Sequence, residues 1–86
     1  MYVVMVYDVA VERVAKVLKV GRRYLTWVQN SVLEGELSPA RFARLKVEVA
    51  KVIESSDAVR FYVLPDKGAL RVEILGTSKN EPNQFI

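Results

Sequence analysis

The chain opens on MYVVMVY, seven residues that are apolar or aromatic without interruption and rich in Val, and then reaches Asp8. The run is too short for a helix and predicts a strand buried on both faces. Over residues 11–25 the period changes. Val14, Val17, Leu18, Gly21 and Leu25 follow helical spacing and form one stripe, while Arg13, Lys16, Lys19, Arg22 and Arg23 fall on the other side. Gly21 weakens a helix interior by about 1 kcal/mol against Ala, so the helix is expected to end near it. The stretch TWVQNSVLEGE reads as a second strand, with Gln29, Asn30 and Ser31 as a polar interruption suited to a sheet edge or an interface.

A second helix follows, with Ser38 as N-cap, Pro39 at its first position and an apolar stripe of Phe42, Leu45, Val49, Val52 and Ile53. AVRFYVLP and ALRVEILG both alternate, with the turn-forming PDKG between them, and predict a hairpin. The fold class is read as α+β, a ferredoxin-like β-α-β-β-α-β domain over residues 1–78. Its antiparallel sheet carries both helices on one face. Residues 79–86 form a polar tail until Phe85 and Ile86. A first strand buried on both faces implies cover for the sheet's second face, the alternative being that scattered Val and Tyr there simply tolerate water, and no third helix is predicted. A second copy of the chain is the expected cover, and a homodimer the expected assembly.

Composition narrows the chemistry. The 86 residues contain no Cys and no His. Disulfides, thiolate zinc sites, Cys nucleophiles and a Ser-His-Asp mechanism are therefore excluded. A general base must be a carboxylate, Lys, Tyr or bound water, and a metal site must use oxygen ligands, which suits Mg2+ or Mn2+. The net charge of +3 leans toward polyanionic partners. No apolar run is long enough to cross a bilayer, and the N-terminus lacks signal-peptide features, so a cytoplasmic protein is expected.

Two features carry candidate chemistry. Asp8 ends the first strand, where it is either a cap for the next helix or a ligand at the carboxyl end of a strand. One carboxylate holds a hard cation poorly, but a two-fold axis nearby would supply a second Asp8. The five basic residues Arg13, Lys16, Lys19, Arg22 and Arg23 are either a phosphate-backbone footprint or an ordinary solvated helix face.

The pattern of an apolar strand ending in Tyr7-Asp8, then Arg13 and Lys16, then Gln29, Ser31-Val32 and Glu34-Gly35 resembles the CRISPR-associated protein 2 family. Leu33 stands where that family usually has Phe. The resemblance implies a ferredoxin-fold homodimer whose C-terminal segment, here residues 79–86, adds a strand to the partner's sheet and buries Phe85 and Ile86. It also implies a role in CRISPR spacer acquisition, bridging dimers of the integrase subunit and holding double-stranded DNA. A further implied activity is that of a metal-dependent endonuclease on RNA or DNA, with Asp8 as catalytic residue and Mg2+ or Mn2+ ligand. A non-catalytic DNA-binding scaffold is the alternative, and a ferredoxin-like module binding a small regulatory ligand is the third reading.

Overall fold

The structure, a computed structural model, describes residues 1–76. The elements run β1 (Tyr2–Asp8), α1 (Val11–Gly21), β2 (Thr26–Gln29), β3 (Val32–Glu36), α2 (Pro39–Val52) and β4 (Ala58–Leu64), then a short 3-10 turn, Lys67–Ala69. The four strands make one sheet in the order β2-β3-β1-β4, with every neighbouring pair antiparallel. The ferredoxin-like α+β architecture is thus present, with β1 in the interior of the sheet.

Period-2 alternation decides which residues of β1 meet the helices. Val3, Met5 and Tyr7 are buried, and they join Leu33 of β3, Val17 and Val20 of α1 and Leu45 and Val49 of α2 in one core. Val4 and Val6 point to the opposite face and are half-buried, although Tyr2 at the strand's start is buried. The continuous apolar run therefore has one fully covered face and one partly covered face within a single chain. Gly21 closes α1 against this core. A Cβ there would come within 3.0 Å of Leu33 Cδ2, so glycine permits the close helix-to-sheet approach.

The second helix forms as its sequence signals. The Ser38 side chain accepts from the Arg41 N–H at 3.2 Å, and Pro39 is the first helical residue. Phe42 on this helix meets Phe61 of β4 edge to face, with ring centroids 5.2 Å apart.

Two expectations require correction. The stretch from Thr26 to Glu36 is a hairpin of two strands. Asn30 adopts φ 37° at the turn, and the register slips between Trp27 and Gln29. Asn tolerates this left-handed backbone far better than β-branched residues do, which makes the polar interruption a turn. Conversely, the predicted hairpin after β4 does not form. The Asp66 side chain accepts from the Ala69 N–H at 3.1 Å and turns the chain through the 3-10 segment, and the following residues up to Gly76 belong to no strand. The elements predicted one by one run β-α-β-α-β-β; splitting the second strand into a hairpin and losing the last strand gives the observed β-α-β-β-α-β order. Phe85 and Ile86, with the rest of the tail at 79–86, lie outside the described residues.

Leu33 and Leu45 are both completely buried. Leu33→Ala and Leu45→Ala are each expected to cost about 2–5 kcal/mol of folding stability. Urea unfolding measures this directly, and a loss below about 1 kcal/mol would contradict the close packing of the two layers.

Candidate functional site

Asp8 is the last residue of β1 and is exposed. It stands opposite Ala58 of β4, and its side chain lies on the sheet face away from the helices, the face shared by Val4 and Val6. It does not cap α1. The N-cap position belongs to Ala10, which offers no side-chain hydrogen bond. Asp8 is therefore free of the helix-capping duty that its type and position suggest. With Val6, Tyr7, Ala58, Arg60 and Tyr62 it lines an open cavity of about 250 Å³.

The start of α1 is held from a distance by Asp57, a residue the sequence pattern does not single out. One Asp57 oxygen, Oδ1, accepts from the Ala10 N–H at 2.9 Å and from Arg13 Nη2 at 3.1 Å. The other, Oδ2, accepts from Arg13 Nε at 2.6 Å and from the Glu54 N–H at 2.9 Å. The guanidinium fork thus meets both carboxylate oxygens, and the Asp57 side chain is only 2% exposed. This clamp joins the loop before β4 to the first turn of α1, on either side of Asp8. Its hydrogen bonds, first those from Arg13, hold the Asp57 carboxyl well below the usual carboxylate range.

The same interaction changes the expected basic footprint. Arg13 is largely buried and committed to Asp57, so it is a structural cation and not an open phosphate contact. Lys16, Lys19 and Arg22 are exposed. Arg22 lies 5.9 Å from the Trp27 ring centre. Arg23 pairs with Glu48 of α2 at 2.8 Å. Tyr24 also hydrogen-bonds Glu48, and Arg41 covers the Tyr24 ring at 4.9 Å. These residues belong to α1 and the segment just after it, on the helix side of the sheet. The structure therefore does not bring them together with Asp8. The cation that shares the Asp8 cavity is Arg60, which lies unmarked within an alternating strand sequence.

One chain does not build a hard-cation site here. Among the described residues no three carboxylates cluster in a way that could hold a metal ion. Asp8 alone supplies fewer oxygen ligands than Mg2+ or Mn2+ requires.

The clamp gives a defined pH dependence. Its folded-state pKa is lowered, so its contribution is complete above the ordinary Asp value of about 3.9 and drains as the pH falls below it. Asp57→Asn is expected to melt at a lower temperature than the parent at neutral pH. The two melting temperatures should converge as the pH is lowered from about 4 toward 2. Thermal scans across this range check the sign, and a gap independent of pH would rule out the charged clamp.

Comparison with known proteins adds an independent line. The model of the family described as CRISPR associated protein Cas2 matches residues 1–72. A Thermotoga maritima protein named CRISPR-associated endoribonuclease Cas2 is 57% identical over 82 residues, 94% of either chain. A Methanosarcina acetivorans protein of the same name is 51% identical over 87 residues, the full length of both chains. A solved structure described as a crystal structure of cas2 superposes with a TM-score of 0.89 at 42% identity, covering 100% of this chain and 97% of the other. Streptococcus pyogenes Cas2 superposes with a TM-score of 0.78 at 37% identity, covering 88% of this chain and all of that one. The family model, the similarity over nearly the full chain and the fold agree, and the chain belongs to the CRISPR-associated protein Cas2 family.

Proposed function

We propose that this protein is a homodimeric endoribonuclease of CRISPR adaptation, acting in the cytoplasm, with Asp8 as its catalytic carboxylate. The observation that carries this reading is the placement of Asp8, exposed at the carboxyl end of β1 in a cavity and unused by helix capping. In a chain with no His or Cys, a carboxylate is a group well suited to orient a water for attack on a phosphodiester. The names of the Thermotoga and Methanosarcina relatives support the same substrate class.

The homodimer is supported by apolar surface left uncovered. Val4, Val6 and Leu64 are half-buried and Tyr62 is exposed on the open sheet face. Beyond the 3-10 turn, Val72 is 59% exposed and Leu75 is 90% exposed. A segment of alternating apolar residues outside any strand suits addition to another chain's sheet edge. Dimerisation would also answer the shortage of ligands at Asp8, because two Asp8 carboxylates with water form a credible Mg2+ or Mn2+ site.

A second reading is a non-catalytic scaffold in spacer acquisition, which binds double-stranded DNA and bridges integrase dimers. It is favoured by the separation of Lys16, Lys19 and Arg22 from Asp8, since a phosphate footprint on the helix side does not need the Asp8 cavity. Both roles are compatible in one protein.

Asp8→Asn is expected to lower cleavage of single-stranded RNA at least about 100-fold, at the low end of what a positioned acid–base group contributes, while sedimentation still shows a dimer and duplex DNA still binds. Parental cleavage rates in purified Asp8→Asn would remove Asp8 from catalysis. Reversing the charge of Lys16, Lys19 and Arg22 together is expected to weaken duplex DNA binding. It should reduce the slope of log affinity against log salt by about 0.9 for each phosphate no longer neutralised. An unchanged slope would place the DNA elsewhere.

A further inference from the structure

Residues 14–25 and 38–47 hold no Asp or Glu, and their exposed cations include Lys16, Lys19, Arg22, Arg23, Arg41 and Arg44. Glu48 is the next residue of α2, and both of its oxygens are taken. Oε1 accepts from Arg23 Nη1 at 2.8 Å, and Oε2 accepts from the Tyr24 hydroxyl. Held from two sides, this carboxylate gives Arg23 a fixed counter-charge. Arg41 reaches the same point without one. Its guanidinium carbon lies 4.9 Å from the Tyr24 ring centre, and its Nη2 donates to the Arg23 carbonyl oxygen at 3.3 Å. Among the described residues Arg41, Lys16, Lys19 and Arg22 form no ion pair with a carboxylate.

An aromatic face holds a guanidinium without neutralising it. The charge stays, the long side chain is already ordered, and most of its five N–H donors remain for an anion. A carboxylate does the opposite, because a phosphate approaching Arg23 must displace Glu48 and is repelled by it. Arg41 thus carries an uncompensated charge from α2 to the residue next to Arg22. It extends the surface of Lys16, Lys19 and Arg22 beyond α1, on the helix side. That side faces away from the sheet face on which the proposed homodimer closes, so the residue stays accessible in the dimer.

We infer that Arg41, held over the Tyr24 ring, is a backbone-phosphate contact for duplex DNA, and that Glu48 keeps Arg23 from being one. This rests on the reading of the helix side as the duplex-binding surface. In the Asp8→Asn protein, where the DNA stays intact, affinity for a fluorescent DNA duplex is measured across a salt series. Adding Arg41→Gln is expected to reduce the slope of log affinity against log salt by about 0.9, the value for one phosphate contact. Adding Arg41→Lys keeps the charge and should keep the slope. Glu48→Gln frees Arg23 and should steepen the slope by about 0.9, whereas Glu48→Gln with Arg23→Gln should restore the starting value. An unaltered slope in Arg41→Gln overturns the role of Arg41, and so does an equal loss in Arg41→Lys, which would make the residue structural. An unaltered slope in Glu48→Gln overturns the role of Glu48. Charge reversal of Lys16, Lys19 and Arg22 separates this from the underlying reading. If that reversal lowers the slope and Arg41→Gln does not, the helix-side surface stands and the inference falls. If only Arg41→Gln lowers it, the inference stands and the DNA lies along α2 instead of α1.

Discussion

The interior strand β1 is the constraint on which the rest of the fold depends. It pairs on one side with β3 and on the other with β4, so its backbone polar groups are used in both directions. Its alternation then assigns Val3, Met5 and Tyr7 to the core under both helices, and the burial of these residues fixes the register. A slip of one residue would turn Val3, Met5 and Tyr7 outward and carry Asp8 into the core, so correct pairing and the exposure of Asp8 are one structural fact. Burial of an unpaired carboxylate is costly, which reinforces the same register.

Asp57 acts at the end of this strand. A chain leaving β1 must reverse into α1, and no side chain of the N-cap residue Ala10 stabilises the turn. The carboxylate that supplies the missing acceptor comes from 47 residues farther along the chain. It also takes the charge of Arg13 and the Glu54 N–H, so the loop before β4 and the start of α1 are tied to one point. The ends of β1 and β4 that carry Asp8 and Ala58 are consequently braced together. Loss of the carboxylate charge would leave a buried guanidinium without its main partner, which is the costly half of breaking such a pair.

The two faces of the molecule divide the charge. Lys16, Lys19 and Arg22 present an exposed basic surface on the helix side, while the open sheet face mixes apolar Val4, Val6 and Leu64 with Asp8 and Arg60. Under the proposed function, long-range attraction of a polyanion would belong mainly to the first surface and hydrolysis to the second. In the proposed homodimer this second face, with its apolar content, would be the contact between the two copies, and a cavity there would be shaped by association as well as by the single chain.

The sequence by itself determined the two-layer α+β plan. Apolar periods, Ser38-Pro39 and Gly21 are local signals, and local signals are sufficient to start and stop helices and to give a strand its inward face. The motif from Tyr7-Asp8 to Glu34-Gly35 also carried enough spaced identities to indicate the family. What tertiary structure decided were the pairings between distant residues. Residues 69–76 alternate as well as any strand, but alternation specifies a strand's faces and not its partner, and this segment finds none within the described chain. Asn30 was legible as a polar interruption, but its role as a turn follows from the pairing of the residues on either side. Arg13 looked like an open basic residue because nothing local reveals that Asp57 folds back onto it. Arg60 looked like an ordinary outward residue of a strand until the β1–β4 register set it beside Asp8. Charge and periodicity are readable along a chain, whereas the electrostatic environment of a side chain depends on neighbours that only folding brings near.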